Sequence, residues 1–186
     1  MKSKATEVRM IALDLDGTTL GKDGISENTK STLEAAIENG VHVVVATGRT
    51  FTALPEDIYK IRGLEYVISS NGAHITYLPE DKIIYSNCIS ASAAARMREL
   101  LESYSRYPIE VFTCGRAYID ESVYSDLMEN GSDYMNAGYI RRTRTPVHDI
   151  YGFLEKNKEN IENINIHFRF LDDKEKFKSC SKQRRI

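Results

Sequence analysis

Apolar positions fall into short unbroken runs over the first third of this chain and into spaced stripes beyond it. Val8 to Leu13 is a mostly apolar run stopped by Asp14, which predicts a strand buried on both faces and closed by a turn. Ser26 then offers an N-cap, Leu33, Ala36 and Ile37 set an apolar stripe at helical spacing, and Gly40 closes that helix. Val41 to Ala46 predicts a second buried strand, running straight into Thr47-Gly48-Arg49. A helix carrying Leu54, Ile58 and Ile61 is expected next, ending at Gly63, and Tyr66 to Ser69 reads as a third strand leading into Asn71-Gly72. Strands alternating with helices predict a parallel sheet with crossover connections, an α/β fold.

After Gly72 the rhythm changes. Ile75 to Leu78 and Ile83 to Tyr85 flank a Pro-Glu-Asp turn and predict a hairpin. Met97, Leu100, Leu101 and Tyr104 stand at helical spacing ahead of Pro108. Ile109 to Cys114 and Ala117 to Ile119 predict a second hairpin around Gly115, and Ile164, Ile166, Phe168 and Phe170 alternate as one more strand. Antiparallel pairs with helices on one side read as a separate α+β insert. Residues 172 to 186 are strongly basic and nearly devoid of apolar side chains, like a helix that the chain does not finish.

Composition narrows the function classes. Of 186 residues, 41% are hydrophobic and 28% charged, the range of a globular protein, and the net charge is -2. The basic residues form no stripe, which argues against a nucleic-acid or membrane-surface partner. The apolar run after Lys2 and Lys4 is too short for a signal peptide or a membrane span. Cys88, Cys114 and Cys180 are odd in number and widely spaced, so free thiols and a cytoplasmic location are expected.

The candidate chemistry sits at strand ends. Asp14-Leu15-Asp16-Gly17-Thr18-Thr19-Leu20 places two carboxylates where a buried strand stops, a hard-oxygen site suited to Mg²⁺, with Gly17 allowing a sharp turn. An EF-hand calcium loop is excluded, because its required glycine and glutamate fall on Thr19 and Ile25. Thr47-Gly48-Arg49 ends the next strand with a hydroxyl and a sterically free N–H, a phosphate-sized anion site. Either motif alone is weak. A cation site and a phosphate site at the tips of adjacent strands, where open α/β sheets bind ligands, are a much stronger signal.

With these motifs the chain resembles the haloacid-dehalogenase-like hydrolases, specifically Cof-type phosphatases with a type IIB cap, up to about Asp173. The resemblance implies a Rossmannoid core in its N-terminal half over residues 1–78 and an α+β cap over 79–186. It implies that Asp14 is the nucleophile, forming an aspartyl-phosphate, and that Asp16 is the general acid/base. It further implies Mg²⁺ held by Asp14 and Asp16, and phosphate held by Thr47 and Gly48. Asn71 and Gly72 match the strand end that precedes the cap in this group. Arg49 either approaches the substrate or forms a structural ion pair, and the ion pair is the preferred reading. His42, His74, His148 and His167 show no metal spacing, and Arg116, Arg141 and Arg142 read as solvated. The expected substrate is a small phosphorylated metabolite, most readily a sugar phosphate.

The family also uses a lysine motif and a Gly-Asp-x-x-Asn-Asp motif after the cap, and neither is present here. None of Lys174, Lys176, Lys178 and Lys182 takes the lysine's role. Truncation or a frameshift, with an odd basic tail from Ser179 to Ile186, is the preferred explanation. A fragment completed by a complementing C-terminal polypeptide and an inactive module that binds phosphorylated ligands are the alternatives. An unpaired edge on the first strand predicts self-association.

Overall fold

The computed structural model describes residues 7–21, 24–104 and 107–183. Lys2, Lys4 and the end of the basic tail, residues 184–186, lie outside them. The chain divides into two compact units, Met1–Ser86 and Asn87–Ile186.

The first unit holds β1 (Met10–Leu13), α1 (Glu27–Glu38), β2 (His42–Ala46), the single turn α2 (Glu56–Tyr59), β3 (Tyr66–Ser69), β4 (His74–Tyr77) and β5 (Lys82–Ser86). These strands form one sheet in the order β1-β2-β3-β4-β5. The first three pair in parallel, with Leu13 opposite Val45 and Ala46 opposite Ile68. β4 and β5 then add antiparallel, so the expected hairpin extends this sheet rather than joining the insert. The helix at 27–38 begins where its cap predicts, the Ser26 hydroxyl accepting the Thr29 N–H at 3.1 Å. Both crossovers run the same way along the sheet, so α1 and the 51–64 segment share one face. Their Leu33, Leu54, Ile58, Ile61 and Leu64 pack there against Leu15, Val43, Val45 and Val67.

Two further expectations change in this unit. The helix expected through Leu54, Ile58 and Ile61 is instead a 3₁₀ turn at Phe51–Ala53 and the short α2, separated by Pro55. Proline has no N–H to donate and forces the residue before it out of the helical region, so the apolar spacing survives while the helix does not. β1 is not buried on both faces: it is the sheet's edge, and Met10 is 61% exposed.

The second unit holds α3 (Ala91–Glu102), β6 (Ile109–Thr113), β7 (Arg116–Asp120), α4 (Glu121–Asn130), α5 (Ala137–Thr143), β8 (Arg144–Val147), α6 (Ile150–Lys156), β9 (Ile161–Ile166) and α7 (Leu171–Gln183). Its sheet runs β8-β7-β6-β9, antiparallel except for the β7–β8 pair. Helices cover both of its faces, not one. Ile109, Val111 and Tyr118 meet α3, α6 and α7 on one side, while Ile119 meets Leu127 and Ile140 of α4 and α5 on the other. Strand alternation leaves two apolar faces on these strands, and each needs cover. β8 escapes the apolar pattern because it is an edge strand carrying Pro146. The last strand spans Ile161–Ile166 and stops before Phe168, which turns instead to Tyr107 and Phe177. The stretch read as nearly devoid of apolar residues is helical and buries Phe177.

A charged group lies within this second sheet. Glu110, on β6, is 1% exposed and accepts hydrogen bonds from Arg144 on β8 at 2.8 Å and Asn165 on β9 at 3.3 Å. Arg144 also stacks over the Phe112 and Tyr139 rings. His167 Nε2 stands 3.2 Å from Glu110 Oε1, close but with the two atoms not aligned as a hydrogen bond. Burial pushes the Glu110 carboxyl upward, but His167 and Arg144 more than offset it and hold it down at about 2.

Candidate active site

Leu15 is fully buried and anchors the first motif in the core, which turns its neighbours Asp14 and Asp16 outward. The Leu15 carbonyl accepts the N–H groups of Thr18, Thr19 and Leu20 at 3.3, 3.1 and 2.8 Å, winding the chain into a tight turn just past β1. Gly17 sits in that turn at a φ of 76°, a conformation that favours glycine. Two hydroxyls brace Asp14 from the same turn. Thr18 Oγ1 donates to Asp14 Oδ2 at 3.2 Å, and Thr19 Oγ1 donates to the Asp14 carbonyl at 2.6 Å. Sequence reasoning quoted both threonines and gave them no task. Their signal is the offset of four and five residues from Asp14, within reach of one turn.

The second motif ends β2 next door. The Thr47 N–H donates to the Ile68 carbonyl at 2.9 Å, and the Thr47 hydroxyl accepts the Arg49 N–H at 3.2 Å. Asp14, Thr47, Gly48, Asn71 and Gly72 line one cleft of about 370 Å³, with Ala46 and Ile68 as its floor. Five of the seven residues singled out from sequence therefore come together at the carboxyl ends of parallel strands.

Asp16 and Arg49, the other two, stand beside that cleft as a pair. Arg49 Nε donates to Asp16 Oδ2 at 3.0 Å and a terminal nitrogen donates to Oδ1 at 2.7 Å, a two-pronged ion pair. A third bond, to the Ala53 carbonyl at 3.1 Å, fixes the guanidinium from behind. These bonds from Arg49 hold the Asp16 carboxyl below the usual carboxylate range. Among the described residues no group of three or more His, Cys, Asp or Glu side chains is placed to hold a metal ion. With both Asp16 carboxylate oxygens engaged by Arg49, Asp14 is the carboxylate that lines the cleft and could meet a cation there, a partial fit to an ion that takes six oxygen ligands. Arg116, Arg141 and Arg142 belong to the second unit with His148 and His167, while His42 and His74 lie in the first. No described helix is long and apolar enough to cross a membrane.

A family model described as haloacid dehalogenase-like hydrolase matches residues 11–185. The chain belongs to that family. The resemblance to Cof-type hydrolases holds with it. Phosphatase YwpJ of Bacillus subtilis is 34% identical over 117 residues, 62% of this chain and 40% of that protein. A haloacid dehalogenase-like hydrolase structure from B. subtilis superposes with a TM-score of 0.71 at 24% identity, over 94% of this chain and 67% of that one. The subclass IIB sugar phosphatase BT4131 superposes at 0.64 and 15% identity, over 91% and 62% of the two chains, a likeness of fold. The chain thus spans well under two thirds of YwpJ.

Proposed function

We propose that this protein is a Mg²⁺-dependent phosphatase of small phosphorylated metabolites, sugar phosphates foremost, working in the cytoplasm through Asp14. The observation that carries the reading is the shared cleft of Asp14, Thr47 and Gly48 at the tips of two adjacent parallel strands. In the first step an Asp14 carboxylate oxygen bonds to phosphorus as the bond to the alcohol oxygen breaks, and Asp16 protonates the departing oxygen. In the second, water attacks the aspartyl-phosphate, Asp16 takes its proton, and Asp14 and inorganic phosphate are released. The Thr47 hydroxyl and the Gly48 N–H would donate to the equatorial oxygens as charge builds there. Asp14 and the Asp16 backbone carbonyl would hold Mg²⁺, which would screen the repulsion between carboxylate and phosphate. Because Arg49 favours the ionised form of Asp16, the acid step requires that pair to loosen as substrate enters.

The same pair supports a second reading, a module that binds phosphorylated ligands without turning them over, since Arg49 occupies both Asp16 oxygens. Hydrolysis of an aryl phosphate by the purified chain with Mg²⁺, beside Asp14→Asn, separates the two. Catalysis predicts a rate at least about a thousandfold lower in Asp14→Asn, whereas equal rates exclude turnover through Asp14. The exposed β1 edge further supports association with a second copy or with a complementing segment. Sedimentation of the wild-type chain beside Met10→Lys tests it, with a monomer at all concentrations in both ruling association out.

A further inference from the structure

Two consecutive non-glycine residues, Ser70 at a φ of 50° and Asn71 at 57°, hold the left-handed conformation where β3 ends. Side chains of L-residues adopt it at a cost, and such costs gather at functional turns. This turn lies across the Thr47–Arg49 corner. The Ser70 N–H donates to the Arg49 carbonyl at 2.8 Å, and the Asn71 N–H donates to the Thr47 carbonyl at 3.2 Å. A Cβ on residue 48 would come within 2.8 Å of Asn71 Oδ1, so the missing side chain of Gly48 is what makes room for the carboxamide. The same point lies 3.7 Å from Nδ2, so the carboxamide lies against Gly48 with its oxygen the nearer atom, in a residue that lines the cleft with Asp14.

We propose that Asn71 is a third anion-binding residue of this cleft, its Nδ2 donating to an oxygen of the phosphate held by Thr47 and Gly48. The proposal rests on the phosphoryl reading above and deepens it. A neutral donor suits a place beside Asp14, because an ammonium or guanidinium there would pair with the nucleophile itself. A turn with structural duty alone would be relaxed by glycine at position 71, yet the chain keeps a side chain there and carries the strain.

The test is a titration of the full ¹⁵N-labelled chain with inorganic phosphate, followed by two-dimensional NMR, with Asn71→Asp and Asn71→Gly alongside. Aspartate keeps the shape and the tolerance for a left-handed φ while replacing the donor by a charge. Glycine removes the donor and relieves the backbone. In the wild type the Thr47 and Gly48 amides and the Asn71 side-chain pair should shift together. Binding should weaken about tenfold or more in Asn71→Asp. Asn71→Gly should bind roughly fivefold more weakly yet melt no lower than wild type. Shifts at Thr47 and Gly48 with wild-type binding in both variants would overturn the role of Asn71 and leave the phosphoryl site standing. No phosphate-dependent shift at any of the three residues would overturn both.

Discussion

Both carboxylate oxygens of Asp16 are engaged by one guanidinium that is itself fixed to the Ala53 carbonyl. Removing that guanidinium must raise the Asp16 pKa. Arg49→Gln should bring it up toward the ordinary 3.8, read by carbon-13 NMR of the carboxyl group, and an unmoved titration would show that Arg49 does not set it. Glu110 is the more demanding case, since it is buried and ionised. Its folded pKa of about 2 lies below the ordinary 4.5, so its contribution to stability is fully present above about 4.5 and fades as pH falls toward 2. Glu110→Gln leaves Arg144 buried without its counter-charge and should cost about 3 kcal/mol in urea denaturation at pH 7. In the variant the loss of stability between pH 5 and pH 3 should be shallower, and an equal slope would remove Glu110 from the account.

At the level of elements, one carboxylate organises two helix starts. Asp120 accepts from the Ser122 N–H at 3.0 Å as the cap of α4, and its other oxygen receives the Ile150 N–H at the start of α6 at 3.4 Å. Asp120→Ala should destabilise the chain by about 2 kcal/mol, the upper end for a cap, and a loss within error would refute the double duty. Such features also mark what could be read from sequence. Ser26, Gly40 and the strand ends at Asp14 and Thr47 were legible because each depends on neighbours a few residues away. Pro55 was equally visible, but the apolar spacing of Leu54, Ile58 and Ile61 outweighed it. Met10 looked buried because a run of apolar residues does not reveal how many strands flank it. The partners of Glu110 lie 34 and 55 residues away, a distance at which no local pattern speaks. Phe168 and Phe170 kept the alternation of a strand after its ladder had ended at Ile166.

For the whole molecule, two units with separate cores predict separable stabilities. Leu154 is fully buried in the second core, and Leu154→Ala should cost about 3 kcal/mol through the cavity it leaves. Hydrogen exchange should quicken through β6, β7 and β9 while Val43, Val44 and Val45 keep their protection. Equal quickening in both would mean that the chain unfolds as one. The fold on this scale was legible as two regions with different rhythms. The site was legible as two motifs with an ion-pairing Arg49, while Asp16 as its partner and the Thr18 and Thr19 hydroxyls emerged only with the geometry.

The Glu110 network has a bearing on how the second sheet finds its one arrangement. A slip of β9 by two residues past β6 would still present Ile164 and Ile166 to the helices, so oiliness alone scarcely distinguishes the two alignments. It would, however, set Asn163 or His167 opposite Glu110 in place of Asn165, while Arg144 on β8 keeps its hold on the carboxylate. A costly inward-facing charge thus gives the interior a polar preference among alignments that greasy side chains alone would forgive.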